Sequence, residues 1–237
     1  MSRTYACSDL HGQKDLWNQI KDFLQPDDTL YFLGDAIDRG KDGFLIMQEL
    51  IADSRVIYLK GNHELMMQNS LMENINNQSF WRGEEARIWY NNGSRPTMKA
   101  WIEDGPNFNW INILKKLPLK AEYKNIKGQT IYLSHAGFTP GAEPEYEFDL
   151  VWDRNHLFQE IPKKYLDNKT IIVHGHTPTK HLIKQFKKYG FSNYKEENRI
   201  VFYNDIKIDV DCGSYTTGCT ALLNLDTLEI ISFKEAI

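Results

Sequence analysis

Five times along this chain a short apolar or β-branched run ends in side chains able to ligate a metal or move a proton: TYACSDLH, LYFLGDAID, VIYLKGNHE, IYLSHAG and IIVHGHT. Five of the seven histidines (His11, His63, His135, His174 and His176) lie within or directly after those runs, far more than scatter would put there. Asp9 and His11 are two apart, so in a turn leaving a strand both side chains can face one point. Asp35 and Asp38 sit in GDAIDRG, Asn62 and His63 in GNHE, and His174 and His176 in HGHT. Oxygen and imidazole donors without thiolates suit Mn²⁺, Fe or Zn²⁺ better than a structural zinc or a soft metal. Calcium is disfavoured, because imidazole ligates it poorly.

Each cluster alone has an ordinary explanation. Asp-x-His after a strand is usually a turn, GNHE could simply start a helix at Asn62 with Glu64 in its first turn, and Gly34 and Gly40 could be turn glycines. HGHT could be a polar strand end. Five such clusters, each closing an apolar run, outweigh those readings taken together. His156 and His181 lack that context and are assigned to the surface. The stretch KHLIKQFKKYG at 180–190 reads as a solvated helix or hairpin face rather than a polyanion site.

The elements that must position these residues follow from periodicity. Leu16, Trp17, Ile20, Phe23 and Leu24 share one helical face, and Leu45, Ile46, Leu50 and Ile51 share another, so residues 1–60 read as β-α-β-α-β with parallel strands. Residues 65–116 read as a mainly helical insertion rich in aromatics and Asn, beside the site. Strands are expected at 119–125, 129–134, 170–173, 199–203, 206–210, 219–224 and 229–233, with a helical interruption around 147–168. The second half is therefore expected to build a second, mixed sheet. The fold class is α/β: a two-sheet sandwich of mixed strands flanked by helices, with ligands converging at the carboxyl ends of the strands.

Composition sets the class of protein. With 237 residues, 41% hydrophobic and 25% charged, the chain can bury one sizeable core, and a single domain spanning 1–237 is expected. A net charge of -4 gives no sequence-wide electrostatic reason to bind nucleic acid or an anionic membrane. No apolar run approaches the roughly 18 residues of a spanning helix, and MSRTYACSDLHG turns polar too soon for a signal peptide, so a cytoplasmic location is expected. Cys7, Cys212 and Cys219 are too few for a disulfide framework and read as reduced thiols packed near strands.

SDLHG, GDAIDRG, KGNHE, HAG and HGHT, in this order across residues 8–177, resemble the signature of the calcineurin-like metallophosphoesterases. GDAIDRG is similar in particular to the phosphoprotein phosphatase branch, small bacterial and phage Ser/Thr phosphatases included. LPLKAEY, VWDRN at 151–155 and DCG at 211–213 extend the resemblance, and residues 69–112 are its loosest part.

That resemblance implies two divalent metal ions, Mn²⁺ first, with Fe or Zn²⁺ as alternatives. Asp9 and His11 would hold one, Asn62, His135 and His176 the other, and Asp35 would bridge them. His174 stands where the family often has an apolar residue, and is assigned to hydrogen-bonding a ligand. Two such ions about 3.5–4 Å apart lower the pKa of a bridging water and hold a phosphate ester for in-line attack. Arg39 and Arg154 would grip the non-bridging oxygens. His63 would protonate the leaving alkoxide, with Asp38 orienting its ring.

One departure stands out. Lys60 precedes GNHE where the family usually has Arg; as a point charge at the phosphate-binding corner it cannot make the bidentate contact.

The implied activity is metal-dependent hydrolysis of phosphate monoesters, with a Ser/Thr phosphoprotein or a small phosphoester as substrate. A nucleotide hydrolase of the symmetrical diadenosine tetraphosphatase kind is the alternative, its base stacking on Phe80, Trp81, Trp89, Tyr90 or Trp101, although helix core is the commoner use of such residues. A catalytically dead metal-binding scaffold is a third reading, which the presence of His63, Asp38, Arg39 and Arg154 opposes. No nucleic acid, membrane or regulatory subunit is implied as a partner.

Overall fold

The computed structural model describes residues 2–76, 82–141, 146–168 and 170–235. The first part alternates strand and helix: β1 (Thr4–Cys7), α1 (Lys14–Phe23), β2 (Thr29–Phe32), α2 (Gly43–Ala52) and β3 (Val56–Tyr58). A helical stretch follows, with α3 (Asn62–Asn74), α4 (Glu84–Asn91), α5 (Arg95–Glu103) and α6 (Trp110–Lys116). Then come β4 (Lys120–Lys124), β5 (Thr130–Ser134), α7 (Glu147–Trp152), a 3₁₀ turn (Asn155–Phe158), α8 (Lys163–Asp167) and β6 (Ile171–His174). The chain continues through α9 (Thr179–Lys188), β7 (Tyr194–Glu197), β8 (Ile200–Tyr203), β9 (Lys207–Asp209), α10 (Ser214–Thr217), β10 (Cys219–Asn224) and β11 (Ile230–Lys234).

Two mixed sheets result, ordered β11-β10-β1-β2-β3 and β4-β5-β6-β9-β8-β7. In the first, β1, β2 and β3 run parallel, with Cys7 opposite Phe32 and Phe32 opposite Tyr58. In the second, β5, β6 and β9 run parallel and the outer strands antiparallel. Parallel strands release their ligand-bearing loops at the same sheet edge, which is what a shared site requires.

Strand alternation assigns the layers. Ala6, Tyr31, Leu33, Leu133, Val173, Ile208 and Leu223 meet between the sheets. Tyr5, Cys7, Leu30 and Phe32 point the other way, into Leu16, Trp17 and Ile20 of α1, Met47 and Leu50 of α2, and Trp89 and Trp101. Outside the second sheet, Leu182 and Phe186 of α9 cover Val201 and Tyr203. The lysines of α9 lie on its other side, so the 180–190 stretch is indeed a helix with a solvated basic face.

Several expectations need correction. The strands at 219–224 and 229–233 form, but they join the first sheet: β10 pairs antiparallel with β1, setting Tyr5 opposite Asn224. Strand β7, YKEE, was not expected; as an outer strand with mostly exposed residues it shows no apolar alternation. The face that α2 buries is Phe44, Ile46, Met47 and Leu50, whereas Leu45 and Ile51 are exposed, because an extra apolar residue on each side of the stripe misplaces its centre. His156 is buried, not superficial: the 3₁₀ turn lays its ring edge-on against His174, with 5.1 Å between centroids. His181 is exposed, as expected. Cys7 and Cys212 are free and buried, and Cys219 is free and half-buried. Among the described residues no helix is long and apolar enough to cross a membrane.

Candidate active site

The loops after β1 and β2 are laced together by backbone. Asp9 N–H donates to Gly34 O (3.0 Å), His11 N–H to Asp35 O (3.0 Å) and Gly12 N–H to Ala36 O (2.9 Å). Glu64, fully buried in the first turn of α3, fastens the next loop onto these. One of its oxygens accepts the N–H groups of Asp35 (2.8 Å) and Gly61 (2.9 Å), and the other accepts Ala36 N–H (3.0 Å) and the Tyr58 hydroxyl (2.7 Å).

The resulting backbone is strained. Asp9, His11, Asp35, Asp38, Arg39 and His176 all have left-handed φ, between 44° and 70°. Each such residue costs of order 1–3 kcal/mol, which the surrounding structure must offset. Strain gathered on these six residues marks the place where side-chain aim outweighs backbone comfort.

Asp35 is the centre of the cluster. Its Oδ2 lies 3.6 Å from His11 Nε2 and 3.7 Å from His63 Nε2, and its Oδ1 lies 3.5 Å from His135 Nε2 while accepting the His63 N–H at 3.0 Å. Two potential metal groups share it: His11, Asp35 and His63 on one side, and Asp35, His135 and His176 on the other, the ligand atoms of each group lying within 4.8 Å of one another. Asp9 borders the first group, Oδ1 at 3.9 Å from His11 Nε2, and its Oδ2 accepts the His176 N–H at 3.0 Å. Asn62 joins the second, its Oδ1 at 2.8 Å from His135 Nε2 and 2.9 Å from His176 Nδ1.

The donor set fits cations. His11 Nδ1–H donates to Ile37 O (2.9 Å) and His135 Nδ1–H to Leu33 O (2.7 Å), so each presents a bare Nε2 lone pair to the cluster. Burial pushes the His11, His135 and His176 rings below the ordinary histidine range, which keeps them neutral and able to ligate. Burial, and then the nearby charges of Asp9 and Glu64, push Asp35 well above the carboxylate range. Facing lone pairs and crowded carboxylates repel one another; a divalent cation between them would reverse that repulsion.

Around the cluster sit the groups expected to handle substrate. His63 Nδ1–H donates to Asp38 Oδ2 at 2.6 Å, both residues being buried. Arg39 is exposed, with Nη2 3.1 Å from His63 Nε2. Arg154, also exposed, reaches the opposite side, where its guanidinium donates to Thr177 Oγ1 (3.1 Å) and to His176 O (3.3 Å). Lys60 is engaged elsewhere: buried, it donates to Gln68 Oε1 (2.9 Å) and to Glu147 Oε1 (2.5 Å). His174 gives its ring nitrogens to Tyr203 Oη (2.6 Å) and Gly175 O (3.0 Å), not to any of the expected ligands.

Of the aromatics considered for base stacking, Trp89 and Trp101 are buried in the helical core, Tyr90 is exposed, and Phe80 and Trp81 lie outside the described residues. Sequence reasoning missed three contributors. Glu64 was read only as a helix-start residue, although an acid at N3 after Gly61 signals a reach back to backbone donors. Trp89 stood out only as a candidate for base stacking and Thr97 not at all, since only the fold brings α4 and α5 to Asp38.

Comparison with known proteins gives a family and a fold. A family model described as calcineurin-like phosphoesterase matches residues 2–210. No curated protein sequence matches the chain. Solved structures similar to it include a candidate diadenosine tetraphosphatase (TM-score 0.62, 17% identity, covering 99% of this chain and 94% of that one). A protein serine/threonine phosphatase from Saccharomyces cerevisiae is similar at TM-score 0.51 and 17% identity, over 100% and 81% of the two chains. A cold-active protein-tyrosine phosphatase from a Shewanella species gives TM-score 0.57 and 16% identity, over 99% and 78%. At these identities the likeness is one of fold.

Proposed function

The chain belongs to the calcineurin-like phosphoesterase family, and from that premise we propose that it hydrolyses phosphate monoesters, Ser/Thr phosphoproteins being its substrate class. The observation that carries the reading is the buried His63–Asp38 pair beside the shared carboxylate of Asp35, with His63 Nε2 3.7 Å from Asp35 Oδ2. An alkoxide released from a serine or threonine phosphate is a poor leaving group and gains from a proton delivered in the transition state. A phosphoanhydride such as diadenosine tetraphosphate expels a phosphate, which needs none. A built acid therefore favours the monoester.

Asp9 and His11 would hold one divalent ion, Asn62, His135 and His176 a second, and Asp35 both. When bound, such ions supply a nucleophile from water at neutral pH and Lewis-acid stabilisation of the phosphoryl group. The chain's own groups do the rest. Arg39 and Arg154, reaching in from opposite sides, clamp the non-bridging oxygens and align the ester for in-line displacement. Burial, and then the Arg39 charge, hold His63 below the ordinary histidine range, and its Nε2 faces the Arg39 guanidinium; with substrate drawing Arg39 onto the phosphoryl oxygens, Nε2 would carry the proton destined for the leaving oxygen. Asp38 fixes the ring by accepting Nδ1–H and stabilises it when charged. Lys60, tied to Gln68 and Glu147, supports the loop before Asn62, its charge matched by the Glu147 carboxylate.

Turnover of a phosphoseryl peptide, an aryl phosphate and diadenosine tetraphosphate, compared with Mn²⁺ supplied, tests the proposal. Peptide and aryl phosphate are expected to be hydrolysed well ahead of the dinucleotide. Preference for the dinucleotide would overturn the substrate class, and full turnover by protein shown to be metal-free would overturn the mechanism.

A further inference from the structure

The helical stretch between α3 and β4 does more than pack. Its α4–α5 corner grips the GDAIDRG loop at three points: Trp89 Nε1–H donates to Asp38 Oδ2 (2.7 Å), Asp38 N–H to Thr97 Oγ1 (2.9 Å) and Arg39 N–H to Gly93 O (2.9 Å). The residues gripped, Asp38 and Arg39, are consecutive and both left-handed, with φ of 70° and 64°, so their backbone needs holding from outside. Trp89 is fully buried, and its indole N–H shares Asp38 Oδ2 with the His63 Nδ1–H donated at 2.6 Å. A buried carboxylate with one donor could swing between rotamers. With indole and imidazole converging on one oxygen, it has a single orientation.

We propose that Trp89 is a positioning residue for the hydrolysis: its indole N–H locks the Asp38 carboxylate so that His63 Nε2 is aimed at the leaving oxygen. The inference rests on the assignment of His63 as the acid. Trp89 touches neither substrate nor metal ligands in this scheme and acts through Asp38 alone. Phenylalanine at 89 keeps most of the ring's packing and removes only the donor.

Three measurements decide it. In the metal-loaded enzyme, Trp89→Phe should lower kcat on an alkyl phosphate about tenfold, the order set by one hydrogen bond to a charged group. KM should stay unchanged, and p-nitrophenyl phosphate, whose leaving group needs little protonation, should lose less than threefold. In an Asp38→Asn background the same substitution should cost less than twofold, because its route of action is already broken. In metal-free protein, the Trp89 indole proton should resonate downfield of the other indoles and move upfield in Asp38→Asn. Equal losses on the two substrates, or additivity in the double variant, would reduce Trp89 to packing and overturn the proposal. An indole resonance indifferent to Asp38→Asn would overturn it even if Trp89→Phe failed to fold. Failure of the premise looks different: His63→Asn would then lose alkyl and aryl turnover alike, while the indole shift persisted.

Discussion

Gly61 offers a way to disturb both proposed metal positions without removing a ligand. Its φ of -98° is ordinary, so alanine there has no backbone penalty from a left-handed conformation. The added methyl, however, would lie 2.2 Å from Asp35 Oδ1, 2.6 Å from Asp35 N and 2.7 Å from Glu64 Oε2, all inside the 3.0 Å that side-chain carbons keep from their neighbours. Asp35 would have to withdraw by about 0.8 Å to restore that separation. Metal–ligand distances tolerate about 0.2 Å, so the shared carboxylate would leave register with both ions at once. Glu64 cannot yield cheaply, since its two oxygens accept four hydrogen bonds. Overpacking of this kind costs about 1–3 kcal/mol, and a chain of this size melts about 2–4 °C lower per kcal/mol. Gly61→Ala should therefore lower the metal-free melting temperature by roughly 2–12 °C and weaken Mn²⁺ at both positions by at least 10-fold, as lost support around a ligand does. Calorimetric titration with Mn²⁺, metal counts after dialysis and melts in chelator read these quantities. Asp35→Asn should match its metal loss. Gly105→Ala, where a methyl meets nothing within 4 Å and only the φ of +92° is strained, should cost stability but leave metal binding intact. If Gly61→Ala binds two ions with wild-type affinity, Asp35 is not the shared ligand.

Two further outcomes are expected. His63→Asn should keep both ions while lowering kcat on alkyl phosphates by about 10²–10⁴ and on p-nitrophenyl phosphate far less; loss of one ion would instead make His63 Nε2 a ligand, since it lies in the same group as His11 and Asp35. Lys207, whose ammonium donates to the His156 carbonyl, is brought down by burial to about 7, below its unfolded value, so the folded state binds fewer protons between about pH 7 and 10.5. Its destabilising effect should therefore be full below pH 7 and fade as pH rises, by at most about 1.4 kcal/mol per unit. Urea melts of wild type and Lys207→Met at pH 7 and 9.5 check this; a stability difference that does not change with pH refutes it.

Much of the site was legible because its chemistry is local in sequence. Each loop of the site follows its own strand, so an apolar run ending in Asp, Asn or His announces both the element and the side chains that gather around Asp35. The β-α-β-α-β opening was equally plain, its helices carrying Leu16, Trp17 and Ile20 or Met47 and Leu50 at helical spacing. What escaped depends on distant pairing. Nothing in CTALLN tells β10 to lie beside β1 rather than in the nearer sheet, since its apolar run suits either core. His156 looked superficial because it closes no apolar strand-like run, yet a single 3₁₀ turn buries it. Trp89 and Lys60 likewise take their partners, Asp38 and Glu147, from 51 and 87 residues away, beyond any local pattern.

The pairing of β1 with β10 has a consequence for how the chain is made. β1 holds the opening residues of the first sheet and finds β2 within 25 residues, but its other neighbour begins only at Cys219. At about 5–20 residues per second, a ribosome leaves that side of β1 waiting for roughly 10–40 seconds. Throughout, Tyr5 and Ala6 offer unpaired backbone groups beside the loop carrying Asp9 and His11, an open edge of the sort that recruits another nascent chain. Slow translation, or release before residue 224, should therefore favour aggregation of a chain whose β1 edge is still open, and assembly of a competent centre has to wait for β10.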